Sequence, residues 1–460
     1  MYLGRITSTF LVFSAWCQVV LANPASLEFT LHKHQTDRPG PTLLVIGGIQ
    51  GDEPGGFTAA SLLVTDYKIM SGNVWVVPNL NFLSIVNSSR GVHGDMNRKF
   101  SQLHKTDPEY NAVQKIKSII LDEQVDIILN LHDGSGFYSA TYIDRLRNPQ
   151  RWGQTVIIDQ EEISSARFSK LGEIARRVVN GANPHLEQKY RYAVKNTRTR
   201  EGDKEMEKSL TYFAIQNNKP AFGVEASKNF LTHQRSFFHL QIVESFMKDI
   251  GIEFERPFEL SVASVKKRID NNVQLSLFDR RVFFDMADAR RYLGFVPFKK
   301  NAPLDVAASN PLVAVIDEKS HYRVRYGNRH VALLKPQYFE YDESLQSLPM
   351  QIDGESTQVE FGRIIDVVDG FSIDPLEDHR TNIIGYYKKG IHDESGIKVT
   401  RKDILKRYSV DNDARIFRVE LYKGKRFCGM ILVRFIDNAI AGANTSSDKQ
   451  SHSIPFKGEG

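Results

Sequence analysis

Four short segments carry side chains whose types and spacing suit hydrolysis at a metal ion. The first is Gly47-Gly48-Ile49-Gln50-Gly51-Asp52-Glu53-Pro54-Gly55. One tight turn would bring Gln50 and Glu53 to a single ion, and the glycines let the backbone turn sharply. Glu53 offers a hard anionic oxygen and Gln50 a neutral carbonyl oxygen. The competing reading is a Gly-rich turn with both side chains in solvent. The second segment, Leu131-His132-Asp133-Gly134, sets a histidine at the end of an apolar run. Lone histidines are more often structural, but this one ends the strand expected beside the first motif. Three protein ligands and a water make a catalytic zinc site. Asp133 reads as a residue of the local turn. The third segment, Arg90 to Phe100, holds Arg90, Asn97 and Arg98. Guanidinium forks bind carboxylates bidentately, although a solvated basic loop is the commoner fate of such charge. The fourth, Phe222-Gly223-Val224-Glu225-Ala226-Ser227, puts a carboxylate just past an apolar run. A general base needs that setting; a glutamate turned out to solvent is the alternative.

These segments need a scaffold that gathers loop ends. From Pro41 to Glu225, short apolar runs interleave with helical patterns. Thr42–Gly47, Asn73–Pro78, Asp126–Leu131, Thr155–Asp159 and Ala221–Val224 read as buried strands. Gly56–Leu63, Glu109–Leu121, Ser164–Val179, Asp203–Ile215 and Thr232–Lys248 read as helices. Such alternation predicts an α/β domain, a mixed sheet with helices on both faces. In open α/β sheets ligands sit beyond the C-terminal strand ends, where all the metal and base motifs fall. Past Phe254-Glu255-Arg256-Pro257 the texture becomes short alternating runs. Phe258–Val262, Val273–Leu277, Leu312–Asp317, Tyr322–Tyr326 and His330–Lys335 read as strands of one small β-rich domain. Gln358–Phe361, Ile383–Tyr387, Ala414–Tyr422 and Phe427–Phe435 read as strands of a second. The expected division is 1–22, 23–254, 255–345, 346–437 and a Ser/Lys/Gly-rich disordered tail at 438–460. No internal repeat is evident between the two β-rich domains.

Arg5, the apolar stretch Phe10 to Leu21 and Val20-Leu21-Ala22 resemble a secretory signal cut after Ala22. The stretch is short for a membrane span, and no second long apolar run exists, so the mature chain is expected to have no integral membrane segment. Cys17 would leave with the signal, and Cys428 remains alone, which fits export to a periplasm without disulfides. The 60 basic and 55 acidic residues give a net charge of +5. That balance suits a partner with an acidic component, such as a wall polymer, without calling for nucleic acid.

Together the four segments resemble the carboxypeptidase A-like zinc peptidases, the funnelins, over roughly residues 28–250. That family's pattern is His-x-x-Glu, then Asn-Arg, then a histidine after a strand, then a late glutamate. Here these positions hold Gln50-Gly51-Asp52-Glu53, Asn97-Arg98, His132 and Glu225. Gln50 stands where a histidine is expected. That departure, the signal segment and two C-terminal β-rich domains are similar to the periplasmic DL-carboxypeptidases that trim peptidoglycan tripeptides and set helical cell shape. The resemblance implies one zinc ion on Gln50, Glu53 and His132. It implies the terminal carboxylate on Asn97 and Arg98, carbonyl polarisation by Arg90, and Glu225 as general base. It further implies a muramyl tripeptide substrate cut between γ-D-Glu and meso-diaminopimelate. Trp152 and Thr211 are candidate pocket contacts outside any motif, and the β-rich domains are candidate docking sites for other cell-shape proteins. Two other classes remain in view: an aspartoacylase-like deacylase and a wall-binding pseudoenzyme that has lost its metal.

Overall fold

The structure, a computed structural model, describes residues 27–271 and 273–437. The signal segment with Cys17 and the tail from 438 lie outside the described residues. The N-terminal unit is built on a seven-stranded sheet. In spatial order its strands are His32–His34, Asn73–Val77, Thr42–Ile46, Ile127–Gly134, Ala221–Ser227, Thr155–Ile158 and Ala193–Asn196. The four from Asn73–Val77 to Ala221–Ser227 run parallel. Thr155–Ile158 is antiparallel to Ala221–Ser227, so the sheet is mixed. Every residue of Thr42–Ile46, Ile127–Gly134 and Thr155–Ile158 is buried. Alternate side chains of a strand point to opposite faces, so both faces are covered.

Two expected helices are shorter than their patterns. The first begins only at Leu171 and runs to Ala182. Before it the chain doubles back, Ile163 N–H donating to Ser169 O at 3.0 Å. The second is broken: a 3₁₀ turn Met206–Lys208 precedes Leu210–Gln216, which starts where Ser209 Oγ accepts the Tyr212 N–H at 3.2 Å. The segment expected as strand Phe258–Val262 is not one. Val262–Asn271 forms a helix that buries Val265 and Ile269, four residues apart, and turns Lys266 and Lys267 outward. The strand expected at Ile383–Tyr387 is displaced to His379–Ile383.

The two β-rich units are a structural repeat, contrary to the sequence reading. Each folds in one chain order into a three-stranded and a four-stranded sheet. In the first unit Gln274–Leu277 lies between Val282–Asp285 and Val306–Ala308, and the larger sheet runs Tyr292–Lys299, Arg329–Phe339, Tyr322–Tyr326, Val313–Asp317. In the second, Ser347–Ile352 lies between Glu355–Glu360 and Phe371–Ile373, and the larger sheet runs Ile364–Val367, Arg426–Phe435, Ile416–Lys423, His379–Ile383. In each larger sheet the first strand pairs parallel with the last and the remaining pairs are antiparallel. The repeat is hidden because a pleated sheet asks only for alternation, which many sequences satisfy. One apolar core runs from Phe29 through the middle unit, and a separate core fills most of the last unit, around Leu348, Phe417 and Val433. Free Cys428 is buried there.

Candidate active site

The parallel sheet brings the four segments together. His132 and Glu225 are not beyond their strands but within the last residues of them, and they are direct neighbours across the parallel pair. On the far side of Ile127–Gly134, strand Thr42–Ile46 delivers the turn that carries Gln50 and Glu53. Gly51 permits that turn to pack: a Cβ there would sit 2.1 Å from the backbone of Ser84. Glu53 is the N-cap of helix Pro54–Asp66, yet its side chain caps nothing on that helix. It reaches the neighbouring strand instead, where Oε2 accepts the Asp133 N–H at 3.1 Å and lies 2.9 Å from His132 Nδ1.

Gln50 Oε1 is 3.2 Å from the same His132 nitrogen. Asp95 orients the amide: Gln50 Nε2 donates to Asp95 Oδ1 at 2.8 Å, leaving the carbonyl oxygen facing His132. These separations approximate the roughly 3.3 Å between ligands of a tetrahedral zinc with bonds of about 2.0–2.1 Å. The donor set, imidazole nitrogen with carboxylate and amide oxygens, therefore fits such an ion. Among the described residues no cluster of three or more His, Cys, Asp and Glu side chains is arranged for a metal; here the third donor is an amide.

Asp133 is not a turn residue. Its buried carboxylate accepts the Gly55 N–H at 2.9 Å and Arg235 Nη1 at 3.0 Å, and lies 3.1 Å from His239 Nε2. It ties strand Ile127–Gly134 to the starts of helices Pro54–Asp66 and Thr232–Asp249, fixing the backbone beside His132.

The Arg90–Phe100 loop closes the site. Asp95 accepts the Asn97 N–H at 3.0 Å, starting the 3₁₀ turn Met96–Arg98, and holds Arg90 through Nε at 3.0 Å and Nη2 at 2.9 Å. Asn97 Oδ1 accepts the Leu210 N–H at 2.9 Å. Its Nδ2 has no protein partner among the described residues, so a donor is left for a ligand. Lys99 anchors the loop from beneath, 2.9 Å from both Asp107 Oδ2 and Glu109 Oε2.

Gln50, Glu53, Arg90, Asn97, Arg98, His132, Trp152, Thr211 and Glu225 all line one cavity of about 320 Å³. Sequence reasoning missed Lys228, which lines the same cavity with Nζ 3.2 Å from Glu53 Oε1. It also missed Asp95. Lys228 stands three residues after Glu225 on the same strand end, and Asp95 two before Asn97, so proximity to the motifs was the available signal. Burial pushes the Glu225 carboxyl up to about 8. His132 opposes that push, and Glu53 and Asp133 reinforce it.

A donor triad at the C-terminal ends of a mixed sheet, a carboxylate beside it and an Asn-Arg pair across the cavity define a metallo-carboxypeptidase. The chain belongs to the peptidase family described as carboxypeptidases controlling helical cell shape, whose catalytic part matches residues 7–270. The C-terminal domain of a metallo-carboxypeptidase matches residues 341–436. The chain is similar to the cell shape determinant protein Csd4 of Helicobacter pylori, at 38% identity and a TM-score of 0.81, over 89% of this chain and all of that one. Structures of that protein include a tripeptide-bound form with the same identity, TM-score and coverage. Another is an mDAP-bound form in which Csd4 is described as a D,L-carboxypeptidase, over 88% of this chain at a TM-score of 0.81. Among curated proteins no match to this chain was found.

Proposed function

We propose that this chain is a periplasmic zinc DL-carboxypeptidase that trims peptidoglycan tripeptides to dipeptides, cutting between γ-D-Glu and meso-diaminopimelate, and so affects cell shape. The observation that carries the reading is the convergence of Gln50, Glu53 and His132 with Glu225 and Asn97-Arg98 in one cavity. The tripeptide and mDAP found on a relative that covers 89% of the chain support the substrate. Export rests on the signal-like start and the lone Cys428.

Gln50, Glu53 and His132 would hold the zinc ion. When bound, the ion supplies Lewis acidity at the scissile carbonyl and makes water easier to deprotonate. The chain's own residues do the rest. Asn97 and Arg98 hold the terminal carboxylate through charge-assisted hydrogen bonds and so fix which bond is presented. Arg90 lies beside the donors and can turn from Asp95 to the carbonyl oxygen, stabilising charge as it develops there. Glu225 accepts a proton from the attacking water and returns it to the leaving amine nitrogen. Trp152 and Thr211 wall the pocket for the departing residue.

Incubation of soluble muramyl tripeptide with the purified protein should yield muramyl dipeptide and free meso-diaminopimelate, and chelator should abolish the conversion. Tripeptide that is never shortened, with zinc bound, would sink the reading. A protein that binds no zinc under any condition would be the pseudoenzyme.

A further inference from the structure

A second cavity is larger than the catalytic one. It is a groove of about 1110 Å³ between the two β-rich repeats, and it shares no residue with the catalytic cavity. One wall comes from the Tyr292–Lys299 strand and the end of Arg329–Phe339, the other from His379–Ile383, the loop after it and Ile416–Lys423.

Three features mark the groove as built to bind. First, a bulge interrupts the first wall between Leu293 and Val296. At its apex Phe295 adopts φ 54°, a left-handed conformation unfavourable for a bulky residue. The strain is held in place from the opposite repeat. Buried Arg418 donates to the carbonyls of Gly294 at 3.0 Å and Phe295 at 3.2 Å. Phe295 is left 72% exposed. Second, Tyr387 on the facing wall is 79% exposed, and Tyr292, Tyr338 and Tyr408 line the same groove, so both walls present ring faces. Third, the groove carries cations with no carboxylate partner, two of them, Arg380 and Arg407, stacked on the rings of Tyr422 and Tyr408. Arg380, Arg407 and Lys425 line the groove, and none has a carboxylate within ion-pair distance among the described residues. Of the two carboxylates lining it, Glu420 is buried, with Oε2 taking the Tyr422 hydroxyl, and Glu340 lies 3.9 Å from Lys300.

Exposed ring faces attract the C–H faces of sugars, because the ring face carries negative charge density. Guanidinium groups that lack an acidic partner take carboxylates. We infer that this groove binds an anionic glycopeptide strand, with sugar rings on Phe295 and Tyr387 and peptide carboxylates on Arg380 and Arg407. The inference rests on the proposed function for the identity of the polymer: a stem trimmed in the catalytic cavity arrives attached to such a strand. The groove then holds the polymer while the cavity works on one branch.

The test uses the full chain, purified peptidoglycan sacculi and soluble muramyl tripeptide. Two double variants are compared with the parent, Phe295→Ala with Tyr387→Ala and Arg380→Glu with Arg407→Glu, after melting curves confirm folding. The surface charge pair keeps the test decisive if loss of Phe295 disturbs the bulge. Both should co-sediment with sacculi about tenfold less well, the loss expected for removing a few exposed ring or ion contacts, while kcat/KM on soluble tripeptide is unchanged. Undiminished sacculus binding overturns the inference and leaves the groove to an acidic protein partner. Equal retention of the parent on chitin, a neutral glycan, overturns the role of the carboxylates. Loss of soluble-tripeptide activity in the folded variants overturns it too, because the groove would then act through the catalytic cavity. If the parent cleaves no tripeptide, the functional reading fails, yet sacculus binding still reports on the groove.

Discussion

At the scale of single residues, the site turns on Gln50 and the carboxylate that aims it. An amide oxygen is a weaker zinc donor than an imidazole nitrogen. Asp95 compensates by taking the amide N–H at 2.8 Å, which fixes the carbonyl oxygen toward His132 and polarises it. Gln50→His should bind zinc at least as tightly as the parent in chelator competition, and a clear loss of metal would count against the ligand assignment. Asp95→Ala should weaken zinc binding by about 10–100-fold, the usual consequence of losing a partner that orients a ligand. That change should be measured by metal retention during dialysis, since Arg90 loses its anchor as well. Glu225→Gln keeps the shape of the side chain and removes the base. Its turnover should fall by about 10²–10⁴ with zinc content intact; a variant that kept both would show that Glu225 does not carry the proton.

At the scale of elements, the catalytic loop depends on a buried ion cluster the sequence did not flag. Lys99 joins Asp107 and Glu109 and also donates to His93 O at 2.8 Å. Asn81 Nδ2 reaches Glu109 Oε1 at 2.9 Å. Lys99→Met would strand the buried Glu109 charge, and stability should drop by roughly 3–5 kcal/mol, with KM for tripeptide rising as Asn97 and Arg98 loosen. The cluster also gives stability a pH dependence. Burial raises the Asp107 pKa, but Lys99 outweighs that and holds it below the usual value. A carboxyl with a depressed folded pKa contributes fully above its unfolded value, near 4, and that contribution fades as pH falls through the folded value. The melting-temperature gap between parent and Lys99→Met should therefore be widest near about pH 7 and shrink below about pH 3. A gap that stays constant with pH would remove the ion cluster as its cause.

At the scale of the whole molecule, buried Arg281 is one of the residues that join the two β-rich repeats. Arg281 Nη1 donates to Leu345 O at 2.6 Å and Cys428 O at 2.7 Å, and Nη2 to Glu343 O at 3.3 Å. It thus pins the connection between the repeats and a strand of the last one to the middle unit. Arg281→Ala leaves three carbonyls without that donor and should cost roughly 2–4 kcal/mol. The expected signature is a protease cut near Leu345 that releases the last repeat while soluble tripeptide is still hydrolysed. If the N-terminal unit lost activity in step with that cut, the repeats would be supporting the catalytic fold directly.

The sequence by itself determined the class of the N-terminal unit and its chemistry. The strands lie close to where buried apolar runs placed them, because a strand covered on both faces is apolar at most positions. The ligand and base candidates line one cavity, because those motifs sit at strand ends that a parallel sheet gathers on one edge. Tertiary structure alone decided the rest. The adjacency of His132 and Glu225 is a matter of strand order, and the aim of Gln50 depends on Asp95, 45 residues away in the chain. The role of Asp133 depends on two helices that meet it only after folding. The duplication of the β units and the groove between them were invisible for a similar reason. Alternating patterns specify that strands form without specifying which strands pair, and pairing is what makes one unit a copy of the other.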